Sequence, residues 1–205
     1  MTDYRNYYLG NLEGYLLGQV QANFHRLGFL SAPEFFCIVI WKANRAKSKI
    51  ARKVLRESGC VNLEEAVRKL TEGIAQAGTA EARMWVLVEK WGLALPMASA
   101  ILTILYPEEF TVYDVRVASV IDEENDTDFV HLGNRTAFAR LWSGYNEYRD
   151  RVRQSAPPTY SLRDKDRHLW GKSFFLQLEE DIRENFSNPR LEANEAPEGT
   201  GSGLY

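Results

Sequence analysis

Apolar positions along this chain recur at intervals of three and four, the spacing of one helix face. Over 3–27, Tyr4, Tyr7, Tyr8, Leu12, Tyr15, Leu16, Leu17, Val20 and Phe24 describe an amphipathic helix, with Gly10, Gly14 and Gly18 at fours. His25, near its end, has the position of a capping or packing residue. Ser31 and Glu34 frame a capping box, and the run from Glu34 to about Ala43 is apolar nearly all round, which predicts a buried central helix. Asn62, with Glu64 and Glu65 behind it, starts a helix whose inner face is Leu63, Ala66, Val67, Leu70 and Ile74. Thr79 starts the next. Over Arg135–Arg153, Phe138, Leu141, Trp142, Tyr145 and Tyr148 form a helical stripe that reads as core rather than as a base-stacking surface. Ser161 and Asp164 cap a last helix that runs to about Asn185. From Ser187 the composition turns to Asn, Pro, Glu, Ala, Gly and Ser, so the expected organisation is one all-α domain over 1–186 and a disordered tail over 187–205.

The chain is organised around Trp85–Ile121. A helical run to Lys90 breaks at Trp91-Gly92-Leu93-Ala94. A second helix follows, its first turn pre-set by Pro96, and carries Ala98, Ser99, Ala100, Ile101, Leu102 and Ile104 up to Pro107. A four-residue break between two helices is a helix-hairpin-helix shape. Gly92 permits the tight turn, and the N–H groups opening the second helix suit a DNA phosphate. A β-like Thr111-Val112-Tyr113 then leads to Asp114, which opens a helix expected to be brief. Asp114 reads as an N-cap and as an aimed catalytic carboxylate, and the two readings are compatible. The acidic segment Asp122–Asp128 lacks the glycine and terminal glutamate of a calcium loop and reads as a solvated loop.

The block from about residue 80 to 121 resembles the helix-hairpin-helix DNA glycosylase superfamily. Gly92-Leu93-Ala94 stands for the Gly-x-Gly hairpin, and Asp114-Val115-Arg116-Val117 for the family's D-x-[HR]-V block. Sixteen residues separate Ala98 from Asp114, as in the family. Trp41-Lys42, followed by Arg45, is similar to a segment of the members akin to the 8-oxoguanine enzymes. The resemblance implies a helix-hairpin-helix glycosylase-like helical bundle, with Asp114 catalytic and a hairpin of Gly92, Leu93, Ala94, Pro96 and Ala98 clamping DNA. It also implies a monovalent cation at the hairpin carbonyls and a base pocket drawn from Trp41, Lys42, Asp166 and Trp170, with His168 nearby. Two departures are specific. Ala94 replaces the second hairpin glycine, and Pro96 stands where lyase-active members carry a nucleophilic lysine.

Charge and cysteines narrow this picture. Net charge is −3 and the pI about 5.7, which disfavours a protein that coats nucleic acid non-specifically. The interval from Phe35 to Arg56 nevertheless carries seven basic residues and no acidic one, among them Arg45, Lys47, Lys49, Arg52 and Lys53. With Arg116, these are candidates for the DNA backbone; the alternative is a solvated face balanced by Glu57, Glu64 and Glu65. Two cysteines, Cys37 and Cys60, cannot hold an iron–sulfur cluster, and no metal-ligand spacing is present. No signal peptide or membrane span is read, so a monomer in the cytoplasm, associated with the nucleoid, is expected.

Three functions follow from these residues. One is a monofunctional glycosylase of base excision repair, hydrolysing the bond to a damaged base such as an oxidised purine. The second is a non-catalytic helix-hairpin-helix DNA-binding protein. The third is an all-helical protein-interaction domain. Asp166 and Trp170 lie four apart on one helix face, and pairing of Asp166 with Arg163 or Arg167 is the structural alternative to a pocket role. Phosphate-loop and nucleophile-elbow motifs are absent.

Overall fold

The computed structural model describes residues 9–155 and 157–186, and every regular element among them is helical. The expected tail over 187–205 and the expected helix start before residue 9 lie outside the described residues. Helix α1 (Leu9–Tyr15), a π-helical turn (Leu16–Val20) and α2 (Gln21–Leu27) follow one another without a break. Leu12, Leu16, Val20 and Phe24 are buried along one face at intervals of four. His25 is a fastener: its Nε2 lies 2.8 Å from the carbonyl oxygen of Leu105. Helix α3 (Ala32–Ala43) has both halves of its capping box and starts two residues before Glu34, since Pro33 fits a first helical turn.

Helices α4 (Lys47–Ser58) and α5 (Leu63–Gln76) pack on each other, and Asn62 caps α5 by accepting the Glu65 N–H at 2.9 Å. Helix α6 (Ala80–Trp85) runs through a π-helical turn (Val86–Lys90) into the hairpin, and α7 (Leu95–Leu105) leaves it. The buried central helix is α7, not α3. Every residue of α7 except Pro96 is buried, whereas α3 buries Phe35, Ile38 and Val39 and leaves Trp41 and Lys42 half-buried. The physical reason is side-chain size. Ala98, Ser99 and Ala100 let neighbouring helices approach, and α7 carries no charge that needs water.

Helix α8 (Val115–Asn125) has 11 residues, so it is not brief. It absorbs Asp122, Glu123 and Glu124, and the acidic segment is a folded turn rather than a solvated loop. The Asp122 carboxylate accepts the Thr127 hydroxyl at 2.6 Å and the N–H groups of Phe129 and Val130 at 2.8 and 2.9 Å. Helix α9 (Phe138–Gln154) buries Leu141, Tyr145, Tyr148 and Val152, as a core stripe should. Helix α10 (Leu162–Glu180) continues into a π-helical turn (Asp181–Asn185) and packs on α8 and α9.

The hairpin depends on one backbone angle. Gly92 has φ +59°, and a Cβ there would sit 2.8 Å from Cε and Nζ of Lys53. The lysine end can move away, so Gly92→Ala should cost chiefly the left-handed backbone, about 1–2 kcal/mol. Thermal unfolding should register this as a fall of roughly 2–8 °C. An unchanged Tm would show that the turn relaxes to another conformation.

Candidate functional site

Asp114 is placed by the extended segment before it, which has no strand partner among the described residues. Its polar backbone groups are satisfied by side chains instead. The Tyr145 hydroxyl receives the Thr111 N–H at 3.1 Å and donates to the Thr111 carbonyl at 2.7 Å. The Tyr148 hydroxyl donates to the Val112 carbonyl at 3.0 Å, and Ser99 Oγ of α7 receives the Tyr113 N–H at 2.9 Å. Burial pushes both α9 tyrosines well above the ordinary phenol value, so they stay neutral donors. The core stripe of α9 and the small-residue run of α7 thus hold the segment that presents Asp114.

At Asp114 the two sequence readings meet. One carboxylate oxygen, Oδ1, accepts the Arg116 N–H at 3.0 Å as the N-cap of α8. The other, Oδ2, receives Lys42 Nζ at 2.8 Å, from the last turn of α3. Burial pushes this carboxyl up, but the Lys42 ammonium, the Arg116 N–H and the Arg116 charge together outweigh it, and the group ends below the ordinary carboxylate value. It is therefore ionised at neutral pH while 27% exposed toward a cavity.

That cavity, of about 390 Å³, is lined by Trp41, Lys42, Asp114, Asp166 and Trp170, together with Glu13, Val112, Arg163 and Arg167. All four residues expected to form a base pocket share one cavity with Asp114. Asp166 lies in its wall, 3% exposed, in close contact with Arg163. Burial pushes its carboxyl up, and Arg163, Lys42 and the Val112 N–H restrain it at about 6. Arg163 also pairs with Glu13 at 2.6 Å and lies over the Trp41 ring at 5.1 Å. Trp170 stands at the rim, 44% exposed, stacked on Phe174, with the Arg116 guanidinium 5.9 Å from its ring centre. His168 is exposed and lies against Tyr160.

Sequence reasoning set Arg163 and Arg167 beside Asp166 but missed Glu13 as a pocket residue. Arg163, Asp166 and Arg167 share a helix face by spacing alone. Glu13 is 150 positions from its partner Arg163, and no local pattern announces such a pair.

The hairpin residues divide by exposure. Gly92 and Ala94 are exposed and Pro96 half-buried, so they can meet a partner. Leu93 and Ala98 are buried, and the Leu93 N–H donates to the Leu87 carbonyl at 2.8 Å. Their part is packing, not contact. Arg45, Lys47 and Lys49 are exposed, and Arg116 is half-buried, bonded to Gln177 at 2.7 Å. The Lys53 side-chain end stands beside Gly92 at the hairpin. Among the described residues no helix is long and apolar enough to cross a membrane, and no three His, Cys, Asp or Glu residues cluster as metal ligands.

No protein-family model, curated protein or solved structure matches this chain. The site is therefore interpreted from its own chemistry. An ionised carboxylate beside an ammonium, at the edge of a cavity with two indoles and a second, proton-binding carboxylate, can steady a planar ligand and the positive charge that forms next to it.

Proposed function

We propose that this chain is a DNA glycosylase-like enzyme that hydrolyses the N-glycosidic bond of a damaged or modified base, with oxidised purines as the first substrates to test. The observation that carries this is the placement of ionised Asp114 on a cavity shared with Trp41, Lys42, Asp166 and Trp170. A duplex buries the scissile bond, so the nucleotide must be flipped out. The cavity has the size of a small-molecule pocket. Asp114 then faces the sugar, stabilises its oxocarbenium character and orients the attacking water. The indoles and the Arg163 guanidinium flank the base. No lyase step is included: Pro96 has no amine, and Lys42 Nζ is engaged by Asp114 at 2.8 Å rather than free to attack a sugar carbon. Arg45, Lys47, Lys49 and Arg116 supply backbone contacts, with a salt-dependent affinity.

The test is an excision screen on duplex and single-stranded oligonucleotides carrying 8-oxoguanine, uracil, hypoxanthine, alkylated purines or hydroxymethylcytosine, with abasic sites revealed by hot alkali. Excision of any one supports the reading; silence on all, with DNA bound, moves the function to a non-catalytic DNA-binding protein. Ala94 and Pro96, the two departures from the pattern of the active enzymes, favour that second reading.

Lys42→Met gives a sharper readout. Lys42 holds the Asp114 carboxyl down, so its removal lets that carboxyl rise. The acid limb of the excision rate should move to higher pH, and the rate at neutral pH should fall. An acid limb that stays in place would show that Asp114 protonation does not limit the reaction.

A further inference from the structure

The charged groups around the cavity are mostly engaged with one another. Asp114 uses both carboxylate oxygens, one for the Arg116 N–H and one for Lys42. Asp166 is withdrawn into the wall, held by Arg163 and the Val112 N–H. Arg167 donates to Asp164 at 2.7 Å through Nη1. Glu13 differs from the other two carboxylates. Arg163 Nε and Arg167 Nη2 both meet the same oxygen, Oε1, at 2.6 and 3.1 Å. The second oxygen, Oε2, has no hydrogen-bond partner among the described residues, although Glu13 lines the cavity and is only 26% exposed.

We propose that Glu13 is a specificity-determining residue, whose Oε2 accepts an N–H of an exocyclic amino group on the flipped base. This rests on the glycosylase reading of the cavity and adds a preference to it: amino-bearing bases over those with a carbonyl at the same position. A carboxylate oxygen only accepts, so it repels a carbonyl oxygen placed against it. The ring N–H of a lactam is a weaker match, because a carbonyl oxygen flanks it and is carried toward the same carboxylate. An exocyclic amino group projects beyond the ring with its hydrogens outermost, and its bond to an ionised acceptor is of the stronger, charge-assisted kind.

The two arginines give the substitution Glu13→Gln a defined outcome. Arginine donates and never accepts, so Arg163 and Arg167 require an oxygen where Oε1 now stands. The glutamine amide must therefore turn its oxygen to the arginines and its NH2 to the cavity. An acceptor facing the base becomes a donor, with almost no change of shape. A merely structural role for Glu13 would slow all substrates alike; a role in recognition changes their ratio.

Matched duplexes test this on the full chain. They carry 8-oxoguanine or 8-oxoadenine against 8-oxohypoxanthine, and hydroxymethylcytosine against hydroxymethyluracil, so that an amino group is the main difference within each comparison. Single-turnover excision and competition binding are both measured. The wild type should favour the amino-bearing member of at least one comparison by about tenfold or more, the worth of a hydrogen bond to a charged group. Glu13→Gln should lower that ratio about tenfold to a hundredfold, toward the carbonyl-bearing partner, and Glu13→Ala should bring it near unity. A wild type without preference in either measurement overturns the proposal, whatever the variants do. Excision with the same ratio in wild type and Glu13→Gln overturns it too, and leaves the glycosylase reading standing. Selective binding that follows Glu13, without excision of any base, supports the proposal and overturns the catalytic reading. Equal binding of all duplexes with no excision overturns both.

Discussion

Asp114→Asn should abolish base excision while leaving the fold standing. The carboxylate is the only ionised group presented to the cavity from the segment that α7 and α9 hold rigid. Removing one preorganised electrostatic stabiliser typically costs about 10²–10³-fold in rate. The fall should be at least that large in single-turnover excision, with DNA affinity nearly unchanged. Stability should respond weakly. Asparagine caps a helix about as well as aspartate, so the Arg116 N–H keeps a partner. What is lost is the Lys42 pair, partly open to water, worth about 1 kcal/mol or less after screening.

Asp114→Ala separates the roles further, since it also removes the cap and should cost about 1 kcal/mol more. Linkage adds a check. A carboxyl held low in the folded state contributes stability above its unfolded value, and that contribution is lost as pH falls through the folded value. The asparagine variant should therefore lose less stability than the wild type on acidification below about pH 4. Equal excision by Asp114→Asn and wild type would leave Asp114 as a cap alone.

The legible parts of this protein are those written in short-range chemistry. Capping at Ser31, Asn62, Thr79, Asp114 and Ser161 depends on a few neighbouring residues, and all five cap helices as expected. The hairpin break at Gly92 and the extended approach to Asp114 are legible for the same reason. The convergence of Trp41, Lys42, Asp166 and Trp170 was reached through resemblance, and no periodicity would have joined α3 to α10.

The rest was hidden because burial belongs to neighbours. α3 has the larger side chains, yet α7 is enclosed, since small residues invite close packing. Asp122 looked solvated by composition, but its carboxylate finds three donors up to eight residues ahead. The exposure of Phe174, Phe175 and Leu176 on α10 is likewise illegible, because periodicity fixes which residues share a face and not which way that face turns.

Arg163→Met should destabilise the protein strongly at alkaline pH and much less at acidic pH. Arg163 is the direct partner of Asp166, and both are withdrawn from water, 14% and 3% exposed. Breaking a buried pair by removing one partner costs about 3–5 kcal/mol, because the other charge is left behind. Glu13 is less affected, since it keeps Arg167 at 3.1 Å. Asp166 retains the Val112 N–H and the more distant Lys42 charge.

The pH dependence follows from burial. With Arg163 in place, the Asp166 carboxyl is already raised to about 6, and without it the carboxyl must rise further. A group raised in the folded state contributes stability that is fully present below its unfolded value and is lost as pH rises through the folded value. For the wild type that loss spans the interval from about pH 4, the ordinary carboxylate value, upward to the folded value of about 6. In Arg163→Met the interval extends to higher pH, so the gap between the two proteins should widen steadily from acidic to alkaline solution. Urea unfolding at an acidic and an alkaline pH measures it directly. Adding Asp166→Asn should close most of the gap at alkaline pH, since no charge is then stranded. A gap of the same size at both pH values would mean that Arg163 stabilises by packing on Trp41 rather than by neutralising Asp166.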